Sequence, residues 1–430
     1  MISRSVAFHH FGCKVNFAEA SSLSRQLQET GFELRNFHEM ADIYVISTCV
    51  VTAIAEKKCR AAIRQAHKLN PKAKIAVIGC FSELKPGEIS QMEGVDLVLG
   101  HSGKFNLLQE LKKLEAGHEY HGGIQAENMH AADIFVPSYS FGDRTRTFLK
   151  IQDGCDYFCS YCTIPLARGR SRSDRIENIV HTTREIMDRG INEIVLTGVN
   201  IGDFGKQNGE SFFDLVYALD RIPGIPRVRI SSIEPDLLSD AIIDLVAGSR
   251  AFMPHFHIPL QSGSDKVLKS MRRKYSRDLF KSRAEKIRSR MPFACIAADI
   301  IAGFPGETGE DFRDALDFIR DLDISYLHVF TYSKREHTLA AKMEGILPDY
   351  VKKERSDLLH QLSDQKKRQF YHANEGREVD VLFESDSSHG FMYGFSENYL
   401  RVKTPFTSEL INRIKRVKLD RMDDEGVFLI

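Results

Sequence analysis

The pattern that most constrains the fold is an alternation of short apolar runs with longer segments of helical period. In the first block of the chain these segments fall at residues 5–11, 17–30, 42–48, 53–69 and 74–79, strand first. Strands that alternate with helices of this length build a parallel sheet covered by helices. The sequence therefore predicts a doubly wound parallel α/β domain at residues 1–125.

A cysteine follows each of the three strands predicted in this block. Cys13, Cys49 and Cys80 stand just past the strand ends, near helix N-termini whose dipoles favour a thiolate. Because carboxyl ends of parallel strands gather at one sheet edge, where ligands bind, we expect the three cysteines to meet. One such cysteine alone would be an ordinary buried residue. The set of three indicates an iron–sulfur cluster with one iron left open.

A second set of three cysteines is packed into eight residues. Cys155, Cys159 and Cys162 have the spacing C-x3-C-x2-C, with Tyr161 before the last cysteine, and they follow an apolar run at residues 147–152. Ferredoxin-type carriers use four cysteines per cluster, so three indicate a [4Fe–4S] cluster whose fourth iron is open to a small molecule. A zinc loop or three buried thiols is the alternative, but zinc usually takes four ligands in two short pairs. The two remaining cysteines, Cys59 and Cys295, lie in a predicted helix and strand and are predicted to be core thiols.

The second block, residues 143–370, continues the alternation and predicts an incomplete (β/α)6 barrel. The predicted strands are residues 147–152, 193–197, 227–232, 255–259, 296–301 and 326–331. Chemistry in parallel barrels takes place at the C-terminal strand ends, and glycines there let backbone approach a ligand. The candidate cofactor-binding residues are Tyr161, Thr197, Gly198, Asn200, Ser232, Glu234, Gln261 and Gly303. Taken singly, these could be turn residues and helix caps; as a set beside the cysteine loop they predict a cofactor pocket.

The third block, residues 373–430, has the alternation of a small all-β barrel. Val379, Val381 and Phe383 alternate with polar residues, and residues 411–418 alternate apolar with basic side chains. Such barrels often bind nucleic acid, although a solvated strand face explains the pattern equally well.

Composition excludes some functions. The chain has 42% hydrophobic and 27% charged residues, eight cysteines and no net charge, and it contains no apolar run of 18 residues. The sequence therefore predicts no membrane span and no secretory signal, and cysteines that act as thiolates in a reducing cytoplasm. Any RNA binding must come from local basic patches. The basic runs 168–172 and 272–274 are placed for phosphate contact near the predicted active face, whereas residues 281–290 read as a solvated surface helix.

Along essentially its whole length the chain resembles the radical S-adenosylmethionine (SAM) methylthiotransferases. The resemblance is carried by G-C-K-V-N at residues 12–16, by the cysteine loop followed by I-P-L-A-R-G-R-S-R-S at 164–173, and by Y-S-K-R-E at 332–336. These motifs look most like the MtaB-type branch, which modifies N6-threonylcarbamoyladenosine next to the tRNA anticodon. Ser47 before Thr48, and Ser82 with Glu83 after Cys80, depart from the usual pattern, but none of them replaces a proposed ligand.

The resemblance implies a mechanism and a set of partners. Cys155, Cys159 and Cys162 would hold the radical SAM cluster, and Cys13, Cys49 and Cys80 an auxiliary [4Fe–4S] cluster that carries or delivers sulfur. One SAM would supply the methyl group and another the 5′-deoxyadenosyl radical, which removes hydrogen from C2 of the adenine. A C-terminal TRAM domain would hold the tRNA anticodon stem-loop. An electron donor such as flavodoxin or ferredoxin, a sulfur donor, a cytoplasmic location and a monomer are further expectations.

Three alternatives remain open at this point. The substrate could be isopentenyladenosine in tRNA, or a ribosomal-protein aspartate modified by the same chemistry. A non-catalytic iron–sulfur protein that binds RNA or senses redox state is the third, and it needs no open iron and no SAM pocket.

Overall fold

The computed structural model describes residues 4–116, 124–125, 134–142, 144–423 and 425–430. Residue 143, the predicted start of the second block, lies outside the described residues, as do 1–3 and 117–123 of the first. The chain divides into two compact units. The first unit comprises Met1–Asp143, Phe148–Asp156 and Cys162–Arg172, and the second comprises Arg144–Thr147, Tyr157–Tyr161 and Ser173–Ile430. The three-domain boundaries 1–125, 143–370 and 373–430 stay predictions.

A parallel sheet of six strands forms the centre of the first unit. Its strands are β1 Ser5–His10, β2 Glu33–Arg35, β3 Ile43–Thr48, β4 Lys74–Gly79, β5 Val95–Leu99 and β6 Ile124–Gln125. Their order across the sheet is β2-β1-β3-β4-β5-β6, and each strand is parallel to its neighbours. All six residues of β3 are buried, as expected for a central strand covered on both faces.

Helices connect these strands. They are α1 Lys14–Glu29, α2 Ala53–Leu69, α3 Cys80–Leu84, α4 Pro86–Ser90 and α5 Leu107–Glu115. Thr52 caps α2 by accepting a hydrogen bond from the backbone of Ala55, which satisfies one of the free N–H groups at the helix start. Two apolar clusters, one containing Ile63 and Val77 and the other Leu23 and Leu97, fill the space between sheet and helices. Further along the chain come β7 Ser138–Tyr139, β8 Thr147–Lys150, β9 Gln152–Asp153, α6 Ile164–Arg168 and β10 Arg172–Ser173.

The second unit begins with parallel strands that alternate with helices. The strands are β11 Glu193–Thr197, β12 Arg227–Ile230, β13 His255–Gln261, β14 Cys295–Ala302 and β15 Tyr326–Thr331. The helices are α7 Ile176–Asp188, α8 Phe212–Asp220, α9 Asp240–Gly248, α10 Asp265–Ser270, α11 Arg277–Arg290, α12 Gly309–Asp321 and α13 Asp349–His372. β11 pairs with β12, and β13, β14 and β15 pair in that order, all parallel. Single parallel bridges, Val228 with Phe252 and Ser232 with His257, continue the curved wall between the two groups.

A curled six-stranded sheet ends the chain. Its strands are β16 Glu378–Ser388, β17 Phe391–Ser396, β18 Arg401–Pro405, β19 Ile414–Lys418, β20 Arg421–Met422 and β21 Phe428–Leu429. Their order is β19-β16-β17-β18-β21-β20. The inward residues of this sheet share a core with Phe370 and Tyr371 of α13 and with Cys295 at the start of β14. The C-terminal sheet is therefore packed onto the barrel strands of its own unit.

The predicted fold class is confirmed: a parallel α/β domain, a partial barrel of parallel β/α units and a small curled C-terminal β-sheet. Cys59 and Cys295 are fully buried, as predicted. Some boundaries differ: α1 begins at Lys14 rather than at residue 17, and β13 runs two residues further than predicted, to Gln261. No helix among the described residues is long and apolar enough to cross a membrane.

Candidate functional site: two sets of three cysteines

The structure places Cys13, Cys49 and Cys80 at the carboxyl ends of three neighbouring strands in the first unit. Cys13 is the N-cap of α1 after β1, Cys49 directly follows β3, and Cys80 opens α3 directly after β4. Cys49 and Cys80 are buried whereas Cys13 is exposed. Burial and the neighbouring Cys80 raise the pKa of Cys49 to about 12, so the three thiols are close enough to affect each other's ionisation.

A glycine and an asparagine bring the Cys13 loop onto the end of β3. Gly12 has φ +103°, and a Cβ there would lie 3.1 Å from Cys49 Sγ. The Asn16 side chain donates to the carbonyls of Phe11 at 3.0 Å and Thr48 at 2.9 Å. These two features hold Cys13 near Cys49, and they explain the residue types at both positions.

A buried charge network lies beside Cys80. Its members are Glu19, His101, Lys104, Lys150, Asp153, Arg168 and Arg172, all buried. Arg168, which is 1% exposed, donates from Nε to Cys80 Sγ at 3.3 Å and pairs with Asp153 at 2.8 Å and Glu19 at 3.0 Å. Glu19 also pairs with Lys104 at 2.6 Å and Lys150 at 2.7 Å.

The network carries more positive than negative charge. Four cations face two carboxylates, and His101 does not change the balance because burial and Lys104 lower its pKa to about 3. Burial alone would raise the pKa of Glu19, but Arg168 and Lys104 hold it well below its usual range. A buried excess of positive charge is costly unless an anion compensates it. A thiolate-ligated cluster at Cys13, Cys49 and Cys80 fits this requirement, because each ligand is an anion.

The second set of cysteines lies on the loop between β9 and α6. Cys155 and Cys162 belong to the first unit and Cys159 to the second, and each is partly exposed. Phe158 has φ +49°, a left-handed conformation that is uncommon for a bulky residue, and its ring is exposed. The loop is thus held in an unusual backbone conformation that turns an aromatic ring outward.

An arginine contacts Cys159 in the second unit. Arg273 donates from Nη1 to Cys159 Sγ at 3.0 Å and to the Tyr161 hydroxyl at 3.4 Å. Its other terminal nitrogen forms an ion pair with Glu234. Burial raises the pKa of Cys159, and Arg273 opposes that shift. Cys159, Tyr161 and Glu234, all predicted from sequence, are therefore brought together by an arginine whose role the sequence did not indicate.

The other predicted pocket residues lie at strand ends of the second unit. Thr197 ends β11, with Gly198 and Asn200 just after it, and the Asn200 amide donates to Asp203 at 2.9 Å. Ser232 follows β12 and bridges to His257.

Gln261 and Gly303 have unusual backbones for different reasons. Gln261 ends β13 at φ +64°, a strained conformation for a residue with a side chain. Gly303 follows β14, and a Cβ there would lie 2.4 Å from Lys352 Cγ. Its φ of +76° and the close packing against Lys352 of α13 together favour glycine at residue 303. A cofactor-binding role for these residues stays a prediction.

Two basic runs differ from the sequence expectation. Arg168 and Arg172 are buried in the charge network, so they are not available to phosphate, and only Arg170 in that run is exposed. In the run 272–274, Arg273 is likewise buried against Glu234. The sequence does not indicate that these arginines are buried, because their burial depends on carboxylates that are distant in sequence. The surface helix predicted at residues 281–290 is confirmed as part of α11, where Arg283 and Lys286 pair with Asp240 and Asp244.

Sequence profiles identify two regions of the chain. The profile of the uncharacterised protein family UPF0004 matches residues 5–100, and the radical SAM superfamily profile matches residues 149–319.

Relatives match over nearly the full length. The threonylcarbamoyladenosine tRNA methylthiotransferase MtaB of Bacillus subtilis is 38% identical over 425 residues, covering 96% of this chain and 93% of that protein. The protein of the same name from Thermotoga maritima is 36% identical, covering 99% and 96%. The tRNA-2-methylthio-N(6)-dimethylallyladenosine synthase of Desulforamulus reducens is 32% identical, covering 90% and 86%.

Solved structures share the fold at low identity. The radical SAM methyltransferase TsrM from Kitasatospora setae, with cobalamin and a [4Fe-4S] cluster bound, has a TM-score of 0.58 and 15% identity, covering 79% of this chain and 77% of that one. The cobalamin-dependent radical enzyme OxsB has a TM-score of 0.51 and 14% identity, covering 84% and 57%.

Proposed function

The chain belongs to the radical SAM methylthiotransferases, and we propose that it adds a methylthio group to C2 of N6-threonylcarbamoyladenosine next to the anticodon of tRNA. The observation that carries the substrate is the full-length match to relatives named for this nucleoside, at 38% and 36% identity. The match to a relative named for dimethylallyladenosine is lower, at 32%. The two separate sets of three cysteines support the chemistry, since the reaction needs both a radical source and a sulfur carrier.

Two [4Fe–4S] clusters and SAM are the proposed cofactors. Cys155, Cys159 and Cys162 are the proposed ligands of the radical SAM cluster, and Cys13, Cys49 and Cys80 those of the auxiliary cluster. When bound, these cofactors supply the radical chemistry that replaces the C2–H bond with a carbon–sulfur bond.

The chain's own residues position and shield these groups. Arg273 donates to Cys159 Sγ and is itself held by Glu234, so the thiol keeps one orientation. Arg168 acts in the same way on Cys80, within a site from which water is largely excluded. The proposed contacts of SAM are Tyr161 on the cysteine loop and, at or just past the strand ends, Thr197, Gly198, Asn200, Ser232, Glu234, Gln261 and Gly303.

Partners and location complete the proposal. The substrate is tRNA bound through its anticodon stem-loop, with the C-terminal sheet as a further contact. On β19 of that sheet Arg416 is already paired with Glu378, so Lys415 is the better candidate for phosphate contact. An electron donor such as flavodoxin or ferredoxin, a sulfur donor and a cytoplasmic monomer belong to the same proposal.

Nucleoside mass spectrometry of tRNA from a deletion strain, with and without the restored gene, tests this function. We expect the 2-methylthio derivative of threonylcarbamoyladenosine to disappear and return while other nucleosides are unchanged. Loss on isopentenyladenosine instead would keep the chemistry and overturn the substrate. An unchanged tRNA profile would refute a tRNA substrate and direct the search to a ribosomal-protein aspartate.

A further inference from the structure

Three polar side chains face each other on the inner side of β13, β14 and β15. His257, Asp299 and His328 lie within the strands rather than at their ends, and their side-chain N and O atoms are within 4.8 Å of one another. His257 Nε2 lies 2.6 Å from Asp299 Oδ1, and the rings of His257 and His328 are 5.0 Å apart. Asp299 and His328 are direct neighbours in the parallel pairing. The three form one polar patch, here called the HDH patch.

The core does not require this polarity. The residues that alternate with the HDH patch on the same strands, Ile258, Ala298 and Leu327, are buried and apolar. The HDH patch instead keeps solvent contact, with His257 20% and Asp299 17% exposed and His328 more open. Polar groups that converge on an accessible concave wall are typical of a ligand site.

The wall is layered along the strands. Gln261 and Gly303 stand four residues beyond His257 and Asp299, which at ~3.3 Å per residue is about 13 Å. Between them, Phe330 and Ile301 are paired in register, and the Phe330 ring is exposed. On the other side of the HDH patch, the ring of His255 packs on Tyr399 of the C-terminal sheet at 4.4 Å. Ile301 and Phe330 thus lie on one side of the HDH patch along the strands, and the packed rings of His255 and Tyr399 lie on the other side.

We propose that the HDH patch binds the threonylcarbamoyl group of the target adenine and distinguishes it from other N6 substituents. This inference rests on the proposed function. A threonylcarbamoyl group carries a carboxylate, a hydroxyl and urea N–H groups. A ring N–H of His328 donates to the carboxylate or hydroxyl, and Asp299 accepts from a urea N–H while it holds Nε2 of His257, whose other ring nitrogen accepts from the hydroxyl.

The layering matches the shape of this substrate. Phe330 offers a ring on which a swung-out base can stack. From N6, the arm extends about 6 Å to its carboxylate by standard bond lengths, comparable with the two-residue rise of about 7 Å along β15 from Phe330 to His328. An isopentenyl arm has no donor or acceptor and would leave the HDH patch unpaired, which is how polar sites reject apolar analogues.

The test compares two RNAs on the reconstituted enzyme under anaerobic conditions. Dissociation constants are measured for one anticodon stem-loop that carries threonylcarbamoyladenosine and for the same stem-loop with plain adenosine. The variants are D299N, H328A and H328Q, and H360A, an exposed histidine on α13, is the matched control. SAM cleavage without RNA is measured in parallel as a check that the clusters and fold are intact.

We expect the wild type and H360A to prefer the modified RNA, and D299N and H328A to reduce that preference by about tenfold with unmodified RNA bound as before. H328Q, which keeps a hydrogen-bond donor at this position, should retain part of the preference for the modified RNA. An unchanged preference in D299N and H328A would refute the inference while the proposed function stands. A wild type that neither prefers nor modifies this RNA would refute both. One equivalent of a metal other than iron in the wild type, lost in D299N, would show a metal site instead.

Discussion

The two sets of cysteines differ in how the chain assembles them. Cys13, Cys49 and Cys80 come from three strand ends far apart in sequence and meet only because β1, β3 and β4 are neighbours. Cys155, Cys159 and Cys162 come from eight consecutive residues. In each set an arginine donates to one thiol, Arg168 to Cys80 and Arg273 to Cys159.

The surroundings of the two arginines differ as well. Arg273 is neutralised by one partner, Glu234, whereas Arg168 shares two carboxylates with three other cations. The first set of cysteines therefore depends on a buried charge network whose members come from several elements of the first unit. The second set depends on one loop and one ion pair. Similar arginine–thiol contacts can therefore have very different structural costs.

Removing a ligand should give the largest effect and separate the two sets. C80A should lower iron from about eight to about four per chain and abolish methylthiolation while SAM cleavage persists. C159A should abolish both SAM cleavage and methylthiolation. Iron analysis and quantification of 5′-deoxyadenosine measure this. The control is C59A, a buried thiol outside both sets, which should keep all its iron; equal loss of SAM cleavage in C80A and C159A would contradict the division.

Breaking the buried charge network should cost the next largest amount. R168Q leaves Glu19 and Asp153 with fewer partners in a dry site, and removal of one member of a buried ion pair costs about 3–5 kcal/mol. Thermal or urea unfolding of the holoenzyme measures it. The matched control is R170Q at the exposed neighbour, where a change within about 0.5 kcal/mol is expected. Equal stability of R168Q and wild type would show that the network does not hold this domain together.

Acid should weaken the first unit through His101. Burial lowers its folded pKa from the ordinary 6.5 to about 3, so in this window the unfolded chain binds one more proton than the folded one. The contribution of His101 to the free energy of unfolding is fully present above pH 6.5. Below that pH the free energy of unfolding falls by about 1.4 kcal/mol per pH unit as the pH drops towards 3. Urea unfolding at pH 7, 6 and 5 should show a shallower slope for H101Q. Parallel slopes for H101Q and wild type would remove His101 as the cause.

Changing the second arginine should have the smallest effect. R273K keeps the charge but loses the planar fork that reaches Cys159 and Glu234 together, so we expect SAM cleavage to slow by about tenfold with little change in stability. Single-turnover formation of 5′-deoxyadenosine measures it. R272N, at an exposed neighbour with φ +59°, is the control because asparagine tolerates that backbone. A stability loss as large as that of R168Q would erase the contrast between the two sites.

Local patterns predicted much of the fold. The apolar period placed β3, β4, β11 and β15 to within a residue, because buried parallel strands read as continuous apolar runs. The positions of Cys13, Cys49 and Cys80 after their strands followed from the same runs. Boundaries failed where the backbone departs from the pattern, as at Gln261, whose strand continues through a register shift after Pro259.

Charge was where sequence interpretation failed. The run that contains Arg168 and Arg172 predicts phosphate contact because it follows the second cysteine set near the predicted active face, yet ion pairs with Asp153 and Glu19 hold these arginines in the buried network. Glu19 itself gave no signal, since an acid on a helix is usually solvated. His257 and Asp299 are 42 residues apart, Asp299 and His328 are 29 apart, and only strand pairing makes the three residues neighbours.

What the sequence alone determined is the order of strands and helices, the two sets of three cysteines and, through its motifs, the family. These depend on local spacing, and local spacing can be read along the chain. Only the tertiary structure decided which charges are buried, which arginine contacts which thiol, and which polar residues line the inner face of β13–β15. Those properties depend on contacts between distant residues, because burial and electrostatic pairing are set by three-dimensional neighbours and not by adjacent ones.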